Sequence, residues 1–172
     1  LLFDLLEEVI AVFQPETMHI GHDETYSIGL CPLCRDRDPA EIYASDITKI
    51  VDFLRTKNVR TMVWGDKFLD AYLPGYGPCG GARIEMHHPV TGAFSGVIPP
   101  TWRSIDLIPG DLRIMHWYWS VDSRLETEFL TRNLDTIYGN FSGPDIPDWI
   151  IRQSRGIRGA VISNWSALKD EN

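Results

Sequence analysis

Apolar residues return at helical spacing from the start of the chain. Leu2, Leu5, Leu6, Val9, Ile10 and Phe13 share one face and predict an amphipathic helix over 1–13. The short apolar lead-in at 17–21 predicts a strand. From Pro39, a residue suited to a first helical turn, Ile42, Tyr43, Ile47, Ile50, Val51 and Leu54 repeat the helical period and predict a helix over 39–57. Arg60 to Trp64 reads as a strand. The stretch from Pro74 to Gly110 holds Gly75, Gly77, Pro78, Gly80, Gly81, Pro89, Pro99 and Pro100, and predicts little regular structure. Beyond it come a strand at 112–119, a helix at 123–133, a strand at 135–139, a short helix at 147–155 and a strand at 159–164.

Strand and helix alternate throughout. That order predicts parallel strands joined by crossover helices, in an α/β sheet or barrel. The strands are short apolar runs, as expected where both faces are covered.

Composition narrows the partners. The 172 residues fit one domain and carry a net charge of −8. Such a charge argues against nucleic acid or an anionic membrane as the main partner, since neither would be attracted. A neutral substrate such as a sugar stays open. No apolar run is long enough to cross a bilayer. The first helix is no signal peptide, because acids interrupt it and no basic segment precedes it. The chain opens within a helical pattern and stops on a charged tail, so both ends are expected to be cuts in a longer polypeptide. Three cysteines make no disulfide framework and assign no compartment.

Each predicted strand ends in residues fit for chemistry. The first ends in His22, Asp23 and Glu24, and the second in Trp64 and Asp66. The third ends in His116, Trp117, Tyr118 and Trp119, the fourth in Asn140 and Phe141 with Asp145 beyond, and the fifth in Asn164 and Trp165. Strand starts show no such enrichment. In (β/α) barrels and open α/β sheets alike, sites lie at the C-terminal strand ends. The tryptophans there suggest an aromatic wall suited to a sugar ring, though each one could equally fill the core.

The sharpest feature is Met18-His-Ile-Gly-His-Asp-Glu-Thr25, in which an apolar strand delivers two adjacent carboxylates. A neighbouring pair with unequal proton affinities can combine proton transfer with charge stabilisation.

His19-Ile-Gly-His-Asp-Glu24 resembles the His-x-Gly-Gly-Asp-Glu motif of glycoside hydrolase family 20, the β-N-acetylhexosaminidases, with His22 in place of the second Gly. Val63-Trp64-Gly-Asp66, His116-Trp-Tyr-Trp119 and Ser163-Asn-Trp165 resemble that family's later tryptophan-bearing strands. The resemblance implies a (β/α)8 TIM-barrel type fold, with residues 1–172 as a partial catalytic domain covering about strands four to eight. It implies a substrate-assisted retaining mechanism, an exception to the two-carboxylate scheme. Glu24 is then the general acid/base and Asp23 orients the acetamido group. Trp64, Trp117, Trp119 and Trp165 shape the pocket, and no cofactor is needed. The tryptophans and the neighbouring Asp23 would keep Glu24 protonated near neutral pH while Asp23 stays ionised. His19 either orients the pair or is a satisfied core histidine. The acetamide-bonding Tyr of the family has no clear counterpart, and Tyr118, Tyr138 and Asn140 all stand open for that role. Ala167 takes the place of a sugar-binding Glu. The implied partner is an N-acetylhexosamine-containing carbohydrate. A partial barrel leaves open strand edges, to be met by a second copy or by the missing half.

Two other classes compete. His19, His22, Cys31 and Cys34 form H-x-x-H followed by C-x-x-C, a donor set that could close a tetrahedral zinc site; Cys31 and Cys34 would be its thiolates. A carbohydrate-binding domain that kept a glycosidase shape without catalysis fits the substitution at Ala167. A third, weaker class is an interaction module using the tryptophan-rich face.

Overall fold

The computed structural model describes residues 1–141 and 146–163. Helix α1 (Leu2–Phe13) leads into strand β1 (Thr17–His19), helix α2 (Pro39–Thr56) and strand β2 (Arg60–Trp64). Two hairpins follow, β3 (Asp70–Leu73) with β4 (Gly77–Gly80) and β5 (Ile84–His87) with β6 (Phe94–Ile98). The chain then returns through β7 (Arg113–His116), α3 (Glu126–Leu130), β8 (Asp135–Phe141), α4 (Trp149–Ser154) and β9 (Ile157–Ile162). Five strands form one parallel sheet in the order β1-β2-β7-β8-β9.

Helix α2 starts where the sequence places it. Asp38 caps it by accepting the Ala40 N–H at 2.8 Å, and Pro39 fills the first turn, where a missing N–H costs nothing. Its apolar stripe meets the sheet: Tyr43, Ile47 and Val51 pack with Val63, Ile114, Leu112 and Phe129. Full burial of a side chain such as Ile47 contributes about 1.5–3 kcal/mol. Helix α1 is held more loosely. Leu6, Val9 and Ile10 pack against Met18, Ile50 and Leu54, while Leu2, Leu5 and Phe13 stay exposed.

The stretch from Pro74 to Gly110, expected to lack regular structure, carries β4, the whole second hairpin and a 3-10 turn at Trp102–Asp106. Its glycines serve two purposes. Gly75 and Gly77 supply the positive φ of the first hairpin turn. Gly80 and Gly81 permit close packing, since a Cβ at Gly81 would stand 2.2 Å from the Lys67 carbonyl oxygen. The density of Gly here marks backbone contact.

Strand pleating gives the sheet two distinct faces. One meets the helices through Met18, Val63, Ile114 and Tyr138. The other is layered. At the N-terminal strand ends, Arg60 and Arg113 share the Asp135 carboxylate at 2.6 and 2.9 Å. Met62, Met115 and Ile137 form the middle, and Trp64 and Trp117 stand at the C-terminal ends.

Candidate active site

The acid motif leaves β1 in a tight, unusual turn. Gly21, His22 and Glu24 have φ of 75°, 68° and 45°, all in the left-handed region. Side chains reaching back to the backbone hold this shape. The buried Tyr43 hydroxyl of α2 donates to the His22 carbonyl at 2.6 Å. The His22 ring places Nδ1 3.1 Å from the Ile20 carbonyl and Nε2 3.0 Å from Asp46 Oδ2. The Glu24 N–H donates to Asp66 Oδ2 at 3.0 Å.

His19 lies edge-on to Trp64, with ring centroids 5.0 Å apart. Its Nδ1 accepts the Gly21 N–H at 3.0 Å, and burial lowers its pKa, favouring the neutral ring. The ring proton therefore sits on Nε2, which is buried and has no partner among the described residues. Trp117 lies 5.3 Å from Trp64 on the other side. Its buried indole N–H makes no well-formed hydrogen bond among the described residues and interacts weakly with the neighbouring Tyr118 hydroxyl. Trp64 is thus flanked by two buried N–H groups, neither of which makes a well-formed hydrogen bond among the described residues.

The two acids are less enclosed than the sequence suggests. Asp23 is half-buried and Glu24 is exposed. Asp23 borders an open cleft of about 410 Å³ with His22, Tyr43, Asp46 and Lys49, and no tryptophan lines it. The expected enclosure of Glu24 by indoles is not present among the described residues. The buried carboxyl is Asp66, only 1% exposed, whose pKa burial pushes up to about 6 against the pull of the Glu24 N–H and of Lys67. The strand-end rule that picked out Asp23 and Glu24 also reaches Asp66, but nothing in the sequence marks it as buried.

Trp119 is placed apart from Trp64 and Trp117. A 3-10 turn at Tyr118–Ser120 breaks strand alternation and swings Trp119 to the helix-facing side. There it stacks on Tyr138 at 5.1 Å and donates its indole N–H to the Gly139 carbonyl. Tyr138 points the same way. Its hydroxyl meets Glu126, a buried carboxylate, and receives an Arg152 N–H at 2.9 Å. The Tyr138 hydroxyl is thus engaged on the helix side, away from Trp64. Tyr118 is half-buried beside Trp117 and Cys79, and burial raises its hydroxyl pKa. Asn140, with φ of 55°, is half-buried at the end of β8. Trp165, Asn164 and Ala167 lie outside the described residues.

The four donors of the zinc reading are not gathered into one site. Among the described residues no group of three or more His, Cys, Asp or Glu side chains could hold a metal ion. His22 is engaged with Asp46, and His19 lies edge-on to Trp64 with its Nδ1 taking the Gly21 N–H. Cys31 and Cys34 are free thiols hydrogen-bonded to each other on an outer loop, which lowers the Cys31 pKa.

With this geometry the chain is similar to two solved structures. One is the β-N-acetylhexosaminidase from Bacteroides fragilis NCTC 9343, at 18% identity and a TM-score of 0.52, over 86% of this chain and 26% of that one. The other is Dispersin B, at 16% identity and a TM-score of 0.53, over 99% of this chain and 53% of that one. The chain spans about a quarter of the first and about half of the second. No family model and no curated protein matches the sequence. The likeness is one of fold, and a five-stranded parallel sheet with crossover helices is what part of a (β/α) barrel provides.

Proposed function

We propose that residues 1–172 are part of the catalytic barrel of a glycoside hydrolase that removes N-acetylhexosamine residues. The observation that carries this is the arrangement around Trp64. Trp64, only 8% exposed, stands between the covered His19 Nε2–H and Trp117 Nε1–H at the C-terminal strand ends, and a sugar would pack on the uncovered part of this aromatic layer. A sugar ring bearing an acetamide matches it, with one apolar face and oxygens at its rim. The acid pair leaves the neighbouring strand at the same end of the sheet.

In this reading the substrate's acetamido oxygen attacks the anomeric carbon, and Glu24 gives its proton to the departing glycosidic oxygen. Asp23 accepts a hydrogen bond from the acetamido N–H and steadies the positive charge that develops on the oxazolinium. Glu24, now ionised, takes a proton from water as that water opens the intermediate with retained configuration. Closure of the barrel by the residues that complete it would supply the desolvation that Glu24 lacks here.

The exposure of Glu24 favours a second reading, a carbohydrate-binding barrel without catalysis. Release of nitrophenol from an aryl N-acetyl-β-glucosaminide separates the two. Slow turnover by this chain, abolished by Glu24→Gln and by Asp23→Asn, supports the hydrolase. Sugar binding with turnover equal to buffer supports the binding domain.

A further inference from the structure

The geometry points to Asp66 as a positioning residue for the acid pair, one that grips the Glu24 backbone and sets the direction in which the Glu24 side chain leaves its loop. This rests on the reading of Glu24 as the acid/base.

Glu24 adopts a φ of 45°, which L-residues seldom take without an external anchor. Its neighbour His22, at 68°, is anchored by the Tyr43 hydroxyl and by Asp46, both from α2. Glu24 is tied instead to the 3-10 turn Asp66–Phe68 that follows β2, through the 3.0 Å bond from its N–H to Asp66 Oδ2. The acid-bearing turn is thus fastened to two different elements, and a shift of either would re-aim the carboxylates.

Asp66 is costly for a merely structural residue. It is fully buried, and its Oδ1 has no hydrogen-bond partner among the described residues. A buried carboxylate with an unsatisfied oxygen is disfavoured unless something requires its charge. The groups around it supply little compensation. Lys67 is the cation beside it, but the Lys67 ammonium donates to the Gly80 carbonyl at 2.6 Å. Asp23 on the acid-bearing turn opposes its charge, and so would ionised Tyr26, Tyr43, Cys79 or Tyr118, all of which sense Asp66. The gain from ionised Asp66 is a charge-assisted bond to the Glu24 amide, stronger than a neutral one. Protonation weakens that bond and loosens the turn.

The test uses this chain labelled with 15N, recorded as wild type, Asp66→Asn and Asp66→Ala across the pH range around 6, where burial places the Asp66 titration. The Glu24 amide is expected to lie downfield in wild type and to move in a single step near that pH. Asp66→Asn keeps the acceptor oxygen and should keep a bonded amide but lose the step. Asp66→Ala should lose both, and its Glu24 amide should exchange with solvent about ten-fold faster or more. Unchanged resonances from α2 and β2 would show that each variant is folded. A Glu24 amide that does not titrate in wild type, or whose step persists in Asp66→Asn, overturns the tether. The catalytic reading stands or falls separately. Turnover unaffected by Glu24→Gln would remove the acid/base role while leaving the tether intact.

Discussion

The indole of Trp64 lies directly on the backbone of Gly139: a Cβ added at Gly139 would stand 2.3 Å from Trp64 Cζ3. Both belong to the face of the sheet that carries the candidate site, and only the smallest residue on β8 lets the β2 tryptophan lie flat across β7. Gly139→Ala would overpack this contact and force the ring aside. Overpacking of this kind costs about 1–3 kcal/mol. The variant should melt lower and show altered tryptophan fluorescence, with weaker sugar binding. An unchanged emission spectrum would mean that Trp64 does not depend on Gly139.

Tyr138 provides the opposite case. Its hydroxyl belongs to the buried Glu126–Arg152 group on the helix side, away from Trp64. Tyr138→Phe leaves Glu126 short of a donor, and an underserved buried acceptor costs about 1–3 kcal/mol. The melting temperature should fall by about 2–4 °C for each kcal/mol lost. Affinity for an acetamido sugar should not change. A loss of affinity without a loss of stability would return Tyr138 to the list of substrate-binding residues.

Two buried groups oppose each other in the pH dependence of stability. Asp66 has its pKa raised to about 6 by burial, above the ordinary 3.8, so the folded chain holds this proton more tightly than the unfolded one. Its contribution is present at low pH and is lost as pH rises from about 4 to about 6, by about 3 kcal/mol at 1.4 kcal/mol per unit. His116 is fully buried with its pKa lowered to about 3 by desolvation and by Arg152. Here the unfolded chain binds the proton first, so stability falls as pH drops below 6.5 toward about 3. Between about 4 and 6 the two slopes cancel. Asp66→Asn removes one of them, and its stability should fall by about 1.4 kcal/mol per unit on acidification in that window. Urea denaturation at a series of pH values checks this; equal slopes for wild type and variant would contradict it.

Much of the architecture is legible along the chain because it rests on local periodicity. The spacing of Tyr43, Ile47, Ile50 and Leu54 and the Asp38-Pro39 start locate α2 to within a residue at its end. The compact apolar run at β2 is read with its bounds intact. What stays hidden depends on contacts remote in sequence. The glycines between Pro74 and Gly110 read as loop, yet Gly80 and Gly81 are set by the backbone of residues 66–69. Trp117 and Trp119 look equivalent in the sequence, but a single 3-10 turn sends them to opposite faces. Asp66 shares a strand end with Trp64, and only the packing of β4 and the acid loop around it makes it buried.

In the proposed function, Trp64, the flanking His19 and Trp117 ring N–H groups and the acid pair belong to one acetamido-sugar site. Titration of the 15N-labelled chain with N-acetylglucosamine thiazoline, a stable mimic of the oxazolinium, tests it most directly. Saturable shifts are expected at the His19 and Trp117 ring N–H groups and at the Asp23 and Glu24 amides, all lost together in Asp23→Asn. Shifts confined to other residues, or a response at Trp117 that Asp23→Asn leaves untouched, would contradict it.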